Sequence, residues 1–158
     1  MKNIVLLIIF TMMSLSFSGC RQTEPREEWA IVLHGGAGSA RSMAPEVRDN
    51  YLNLLDQALE VGTRMLQNGE KALDVATRVV VWLEDCPSFN AGKGAVVTSD
   101  GIHELDAAVM DGSNLMAGAV AGVRDIKNPI LAARHVMEDS PHVLLIGEGA
   151  SSFAQSMG

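Results

Sequence analysis

Apolar positions change period several times along this chain, and each change marks an element. From Pro45 onward, Val47, Tyr51, Leu54, Leu55, Ala58, Val61, Met65 and Leu66 recur at helical spacing. Proline suits the first helical position, Glu46 the first turn, and Asn68-Gly69 ends the run. A second helix follows from Glu70, with Leu73, Ala76, Val79, Val80 and Leu83 facing inward. It stops at Cys86-Pro87, because a residue before proline is pushed out of the α region. Before these helices, Trp29 to Leu33 is a continuous apolar run that predicts a buried strand, leading into the bend His34-Gly-Gly-Ala-Gly38.

After Pro87 the period falls to two. Ala95 to Thr98 and Ile102 to Met110 read as short strands around a Ser99-Asp100-Gly101 turn. Alternation puts Ile102, Glu104, Asp106, Ala108 and Met110 on one face, so two carboxylates share a side with apolar residues. Either this is an edge strand with a solvated face, or Asp106 is buried and ties down backbone N–H groups beside a site. Ala117 to Val123 is a small-residue strand that lets a neighbouring layer come close. Asn128-Pro129 opens a helix with Leu131, Ala132, His135, Val136 and Met137 inward. His142 to Ile146 then reads as a buried strand, Gly147 to Gly149 as a bend and Ala150 to Met157 as a last helix. His135 and His142 read as core-edge histidines, and no His, Cys and Asp set has zinc spacing.

The first residues follow other rules. Lys2, the apolar stretch Ile4 to Phe10 and the small residues up to Gly19 form a leader, residues 1–20. Its apolar run is shorter than the ~20 residues a membrane-spanning helix needs. Phe17-Ser18-Gly19-Cys20 resembles the lipobox of bacterial lipoproteins, which makes Cys20 the lipidation site and the protein an exported one, periplasmic or on the outer membrane or cell surface. An ordinary secretory signal with a chance cysteine is the competing reading. Residues 21–28 are a polar tether. Cys86 then has no partner in the chain, unless it pairs with Cys20 in an oxidising compartment; the free thiol is preferred. The formal charge of −7 on 158 residues argues against nucleic acid, since phosphate binding needs a basic footprint.

Three stretches together carry a resemblance. They are Ala30-Ile-Val-Leu-His-Gly-Gly-Ala-Gly38, the segment Leu83 to Gly112 with its Phe89-Asn90-Ala91-Gly92, and Asn128 to Glu138 followed by His142 to Ala150. Their order and wording resemble the plant-type L-asparaginase / isoaspartyl peptidase family of N-terminal nucleophile hydrolases, from about Trp29 to Gly158. The resemblance implies an α/β fold layered as α+β, the αββα sandwich of those hydrolases, here only its first part. The family's nucleophile is a threonine heading a T-V-G-A-V-A-like strand. Thr11, Thr23, Thr63, Thr77 and Thr98 all lack that context. Residues 29–158 therefore resemble the N-terminal (α) portion of such an enzyme, without its nucleophile and expected to be inactive alone.

The implied chemistry is hydrolysis of the asparagine side-chain amide or of a β-aspartyl (isoaspartyl) peptide bond. A threonine whose own α-amine is free needs no separate base, and autoproteolysis exposes that amine. The implied partner is a C-terminal (β) portion with the nucleophile, oxyanion donors and substrate-carboxylate pair, in an (αβ)2 assembly. Carried over residue by residue, His34, Gly35, Gly36 and Asn90 form the active-site wall, and no cofactor serves catalysis. A structural sodium ion is implied on the backbone carbonyls of Leu83, Glu84, Cys86, Phe89, Ala91 and Lys93, oxygen ligands of the kind hard cations favour. Lys93 replaces an apolar residue and must turn its ammonium away. Without the family, Glu84-Asp85 is a surface acidic pair. Two other readings stay open. One is a surface lipoprotein that binds without catalysing; the other is a glycosylasparaginase-type relative, against which His34-Gly-Gly-Ala-Gly38 speaks.

Overall fold

The computed structural model describes residues 28–37 and 40–158. From Ile31 onward the chain forms one compact unit. The leader, Cys20 and most of the tether lie outside the described residues. Among the described residues no helix is long and apolar enough to cross a membrane.

Helix α1 (Pro45–Gln67) starts at the expected proline. It ends in a left-handed Gly69 (φ 78°), where the Gly69 N–H donates to the Leu66 carbonyl and the Glu70 N–H to that of Met65. This paired closure uses Glu70, so α2 cannot begin there and instead spans Ala72–Asp85. Ala58 of α1 packs on Val75 and Val79 of α2, with Ile31, Leu33 and Met65 around them. The inward face of α2 differs from the single stripe expected. Ala76 is exposed, while Val75, Thr77, Val81 and Glu84 are buried. The helix serves two neighbours. It meets α1 along one side, while Asp74 and Glu84 near its two ends bond to residues of α3.

Strands β1 (Leu105–Asp111), β2 (Met116–Val123) and β3 (Leu144–Ile146) form one sheet in that order. β1 and β2 are antiparallel, with Ala108 opposite Ala119; β2 and β3 are parallel, joined by α3 (Pro129–Asp139). Helix α4 (Gly147–Met157) follows β3 at once, so the expected bend and the first helical turn coincide. The core lies between sheet and helices: Val120, Val123, Ala132, Ala133, Val136 and Ala150, backed by Ala107, Val109 and Leu145. Gly118 lets α3 approach, since a Cβ there would lie within 2.7 Å of Met137 Cβ and strike the backbone at Ala133.

Four expectations are corrected. Residues 29–36 pair with no strand among the described residues; Ile31 and Leu33 turn toward the helices, whereas Val32 is 93% exposed. The hairpin around Gly101 is reduced to one bridge, Val97 to His103. β3 is a three-residue strand with only Leu145 inward, and Leu131 of α3 is exposed. Of the two readings left open for β1, the edge strand with a solvated face holds: Leu105, Ala107 and Val109 face the core, so Asp106, Ala108 and Met110 lie on the open side. Asp106 does tie down a backbone N–H, but from an exposed position. It accepts from Gly122 at 2.8 Å, where a bulge sets Ala121 and Gly122 (φ 62°) against one residue of β1.

Candidate active site

Two predicted wall segments meet at one cavity of about 280 Å³, which Gly35, Gly36 and Asn90 all line. Gly36 needs its glycine, because φ is 108°. Its N–H donates to Nδ1 of the exposed His34 ring at 3.2 Å. Gly35 is held by packing: an added Cβ would sit 3.3 Å from both Leu55 and Phe89. Phe89, 4% exposed, stands edge-on to Tyr51 with ring centroids 5.6 Å apart.

Asn90 follows immediately and is exposed. Its Oδ1 accepts the Val96 N–H at 2.9 Å, closing the loop through the 3₁₀ turn Gly92–Gly94. That loop is tight. A Cβ on Gly92 would strike the Glu84 carbonyl, and one on Gly94 those of Phe89 and Pro87. The Leu83, Cys86, Phe89 and Ala91 carbonyls each accept one backbone N–H within the turn, leaving each a second lone pair. They sit at the C-terminal end of α2, where the helix dipole favours a cation. Lys93 is exposed. Among the described residues no three His, Cys, Asp or Glu side chains gather as a metal centre.

Glu84, whose backbone lies close against Gly92, is not the surface residue its sequence context suggests. It is 3% exposed. Oε1 accepts the Ile130 N–H at 3.0 Å and Oε2 the Asn128 amide at 3.2 Å. The start of α3 is therefore capped from α2, since Asn128 makes no cap bond of its own. Burial raises the Glu84 pKa, outweighing these two hydrogen bonds. Asp85, beside it, is exposed and shifted down by hydrogen bonds from Lys127 and Asn128. Cys86 is a free, half-buried cysteine.

The helical spacing of α1 marks only a packing face, yet Arg48, Tyr51 and Leu52 line the cavity as well. Tyr51 and Leu55, one helical turn apart, were the available signal: both face Phe89 and the glycine loop.

A helix layer on one face of a small sheet, with the other face left open, fits part of an N-terminal nucleophile hydrolase sandwich. The chain belongs to the asparaginase family: the pattern described as Asparaginase matches residues 27–158. It is 58% identical over 130 residues to the isoaspartyl peptidase of Salmonella typhimurium, covering 81% of this chain and 42% of that protein. The Escherichia coli isoaspartyl peptidase is 56% identical (81% and 40%), and a plant-type L-asparaginase of Pyrococcus furiosus 51% over 129 residues (82% and 41%). The chain thus spans about two-fifths of the length of the curated relatives it matches.

Proposed function

We propose that this chain forms part of a threonine-nucleophile amidohydrolase acting on L-asparagine, on β-aspartyl peptides, or on both. One observation carries the reading: Gly35-Gly36 and Asn90, far apart in sequence, line one cavity in a chain of this family. Here His34, Gly35, Gly36 and Asn90 are the wall against which the substrate lies. The nucleophilic threonine, its free amine as base and the oxyanion donors come from a C-terminal (β) portion, with two such pairs in the assembly. A preorganised oxyanion donor is worth ~3–4 kcal/mol, so the wall alone supplies little of the rate.

In this reading the carbonyls of Leu83, Glu84, Cys86, Phe89, Ala91 and Lys93 hold a structural sodium ion. It would fix the loop that carries Asn90 and take no part in the chemistry. The leader exports the protein, and Cys20 carries the lipid that anchors it. Mass spectrometry of the mature N-terminus checks this point; an unmodified terminus downstream of Cys20 would end it. The function itself is tested by self-cleavage. Protein expressed from the complete reading frame should split into two chains, the second beginning with threonine. A stable single chain, or a stop codon directly after Gly158, would favour a lipoprotein without catalysis.

A further inference from the structure

The cavity beside Asn90 has a composition that the wall's role does not require. Its sides are Met43, Tyr51, Leu52, Leu55 and Phe89, and Arg48 is its one charged side chain among the described residues. At about 280 Å³ it falls just below the ~300–1,000 Å³ of sites for drug-sized ligands, and it fits a single amino-acid residue. Arg48 is loosely held there: its Nε stands 3.5 Å from Asp49 Oδ1, on side chains 45% and 70% exposed. So exposed a pair contributes little, leaving the guanidinium free to reorient toward an anion.

We propose that this cavity is the leaving-group subsite, which takes the residue released from a β-aspartyl dipeptide when that residue is apolar and carries a free carboxylate. The inference rests on the functional reading above and assigns the part of the substrate that reading leaves unplaced. The apolar side chain packs among Leu52, Leu55 and Phe89, and Arg48 pairs with the carboxylate at the mouth. A planar guanidinium matches a carboxylate with two parallel N–H···O bonds, which no other group in the wall can offer. L-asparagine leaves only ammonia and does not use the cavity. Arg48 is accordingly a residue that sets specificity between the two substrate kinds.

The test uses protein from the complete reading frame, unaltered and as Arg48→Gln, a change at an exposed position that spares the core. Three substrates are compared: β-aspartyl-leucine, β-aspartyl-leucinamide and L-asparagine. In Arg48→Gln the ratio of kcat/KM for β-aspartyl-leucine to that for L-asparagine should fall about 10-fold or more, through KM, as expected for losing a charged hydrogen-bond partner. The same ratio for the leucinamide, which has no carboxylate, should not move. An unchanged β-aspartyl-leucine ratio, or equal losses on the dipeptide and its amide, would overturn the assignment. If nothing is hydrolysed the functional reading itself has failed. The subsite is then read alone, from NMR shifts of the Tyr51 and Phe89 rings on adding L-leucine or leucinamide. Shifts with leucine that weaken in Arg48→Gln support it; no shifts, or equal shifts with both, overturn it.

Discussion

Glu84 gives the sharpest stability test, because one buried carboxylate ties the end of α2 to the start of α3. Glu84→Ala strands the Ile130 N–H and removes the nearer partner of the Asn128 amide. A buried donor without a partner costs ~1–3 kcal/mol. The Asn128 amide keeps Asp85 at 3.3 Å, so most of the loss falls on Ile130. Removing a desolvated charge offsets part of it, leaving a net loss of about 1–2 kcal/mol, still a noticeable share of an ordinary domain's ~5–15. Glu84→Gln keeps one acceptor and should lose about 1 kcal/mol.

The pH dependence fixes the sign. The folded pKa of Glu84 lies above its ordinary 4.5, so the native state holds the proton after the unfolded chain has released it. Its contribution is complete below pH 4.5 and is lost as pH rises through the folded pKa. The advantage of the natural chain over Glu84→Gln should therefore be greatest near pH 4.5 and shrink toward neutrality. Urea midpoints across that range, on protein from the complete reading frame, measure it. A gap that widens with rising pH would show that the hydrogen bonds, not burial, govern this carboxylate.

Two further substitutions test the sheet. Gly118→Ala puts a methyl against the Ala133 and Met137 backbone, and should lower stability by ~1–3 kcal/mol or more in thermal unfolding; a neutral result would mean that α3 can move away. Asp106→Ala loses one exposed hydrogen bond to Gly122, so ~0.5–1.5 kcal/mol is expected, still more than for Asp100→Ala in its exposed turn. Equal melting temperatures for these two would show that the bulge does not need its side-chain acceptor.

Much of the helical fold was legible because local chemistry decided it. Pro45, Asn68-Gly69, Cys86-Pro87 and Asn128-Pro129 each fix a helix end within a few residues. Strand faces were harder. In β1 both alternating sets contain apolar residues, and the outcome depends on where α3 and α4 lie, which periodicity does not encode. β3 fell short for the same reason, because a run of apolar residues looks buried whether or not a neighbour covers both faces. The site was legible only as motifs. That Gly35-Gly36 and Asn90 share a cavity, which His34 does not line, follows from α1 and Phe89 packing between them, and Arg48 carried no sequence signal at all. Glu84 was misplaced because an acidic pair at a helix end is normally solvated, and its partner, Asn128, stands 44 residues downstream.

In the function proposed above, this chain is the wall of an amidohydrolase whose nucleophile lies elsewhere. Release of free aspartate or ammonia from β-aspartyl dipeptide and L-asparagine tests it most directly. Residues 21–158 alone should release neither above the buffer rate, and protein from the complete reading frame should release them after self-cleavage. Turnover by the 21–158 fragment that survives repurification would contradict the account, because the nucleophile would then lie within this chain.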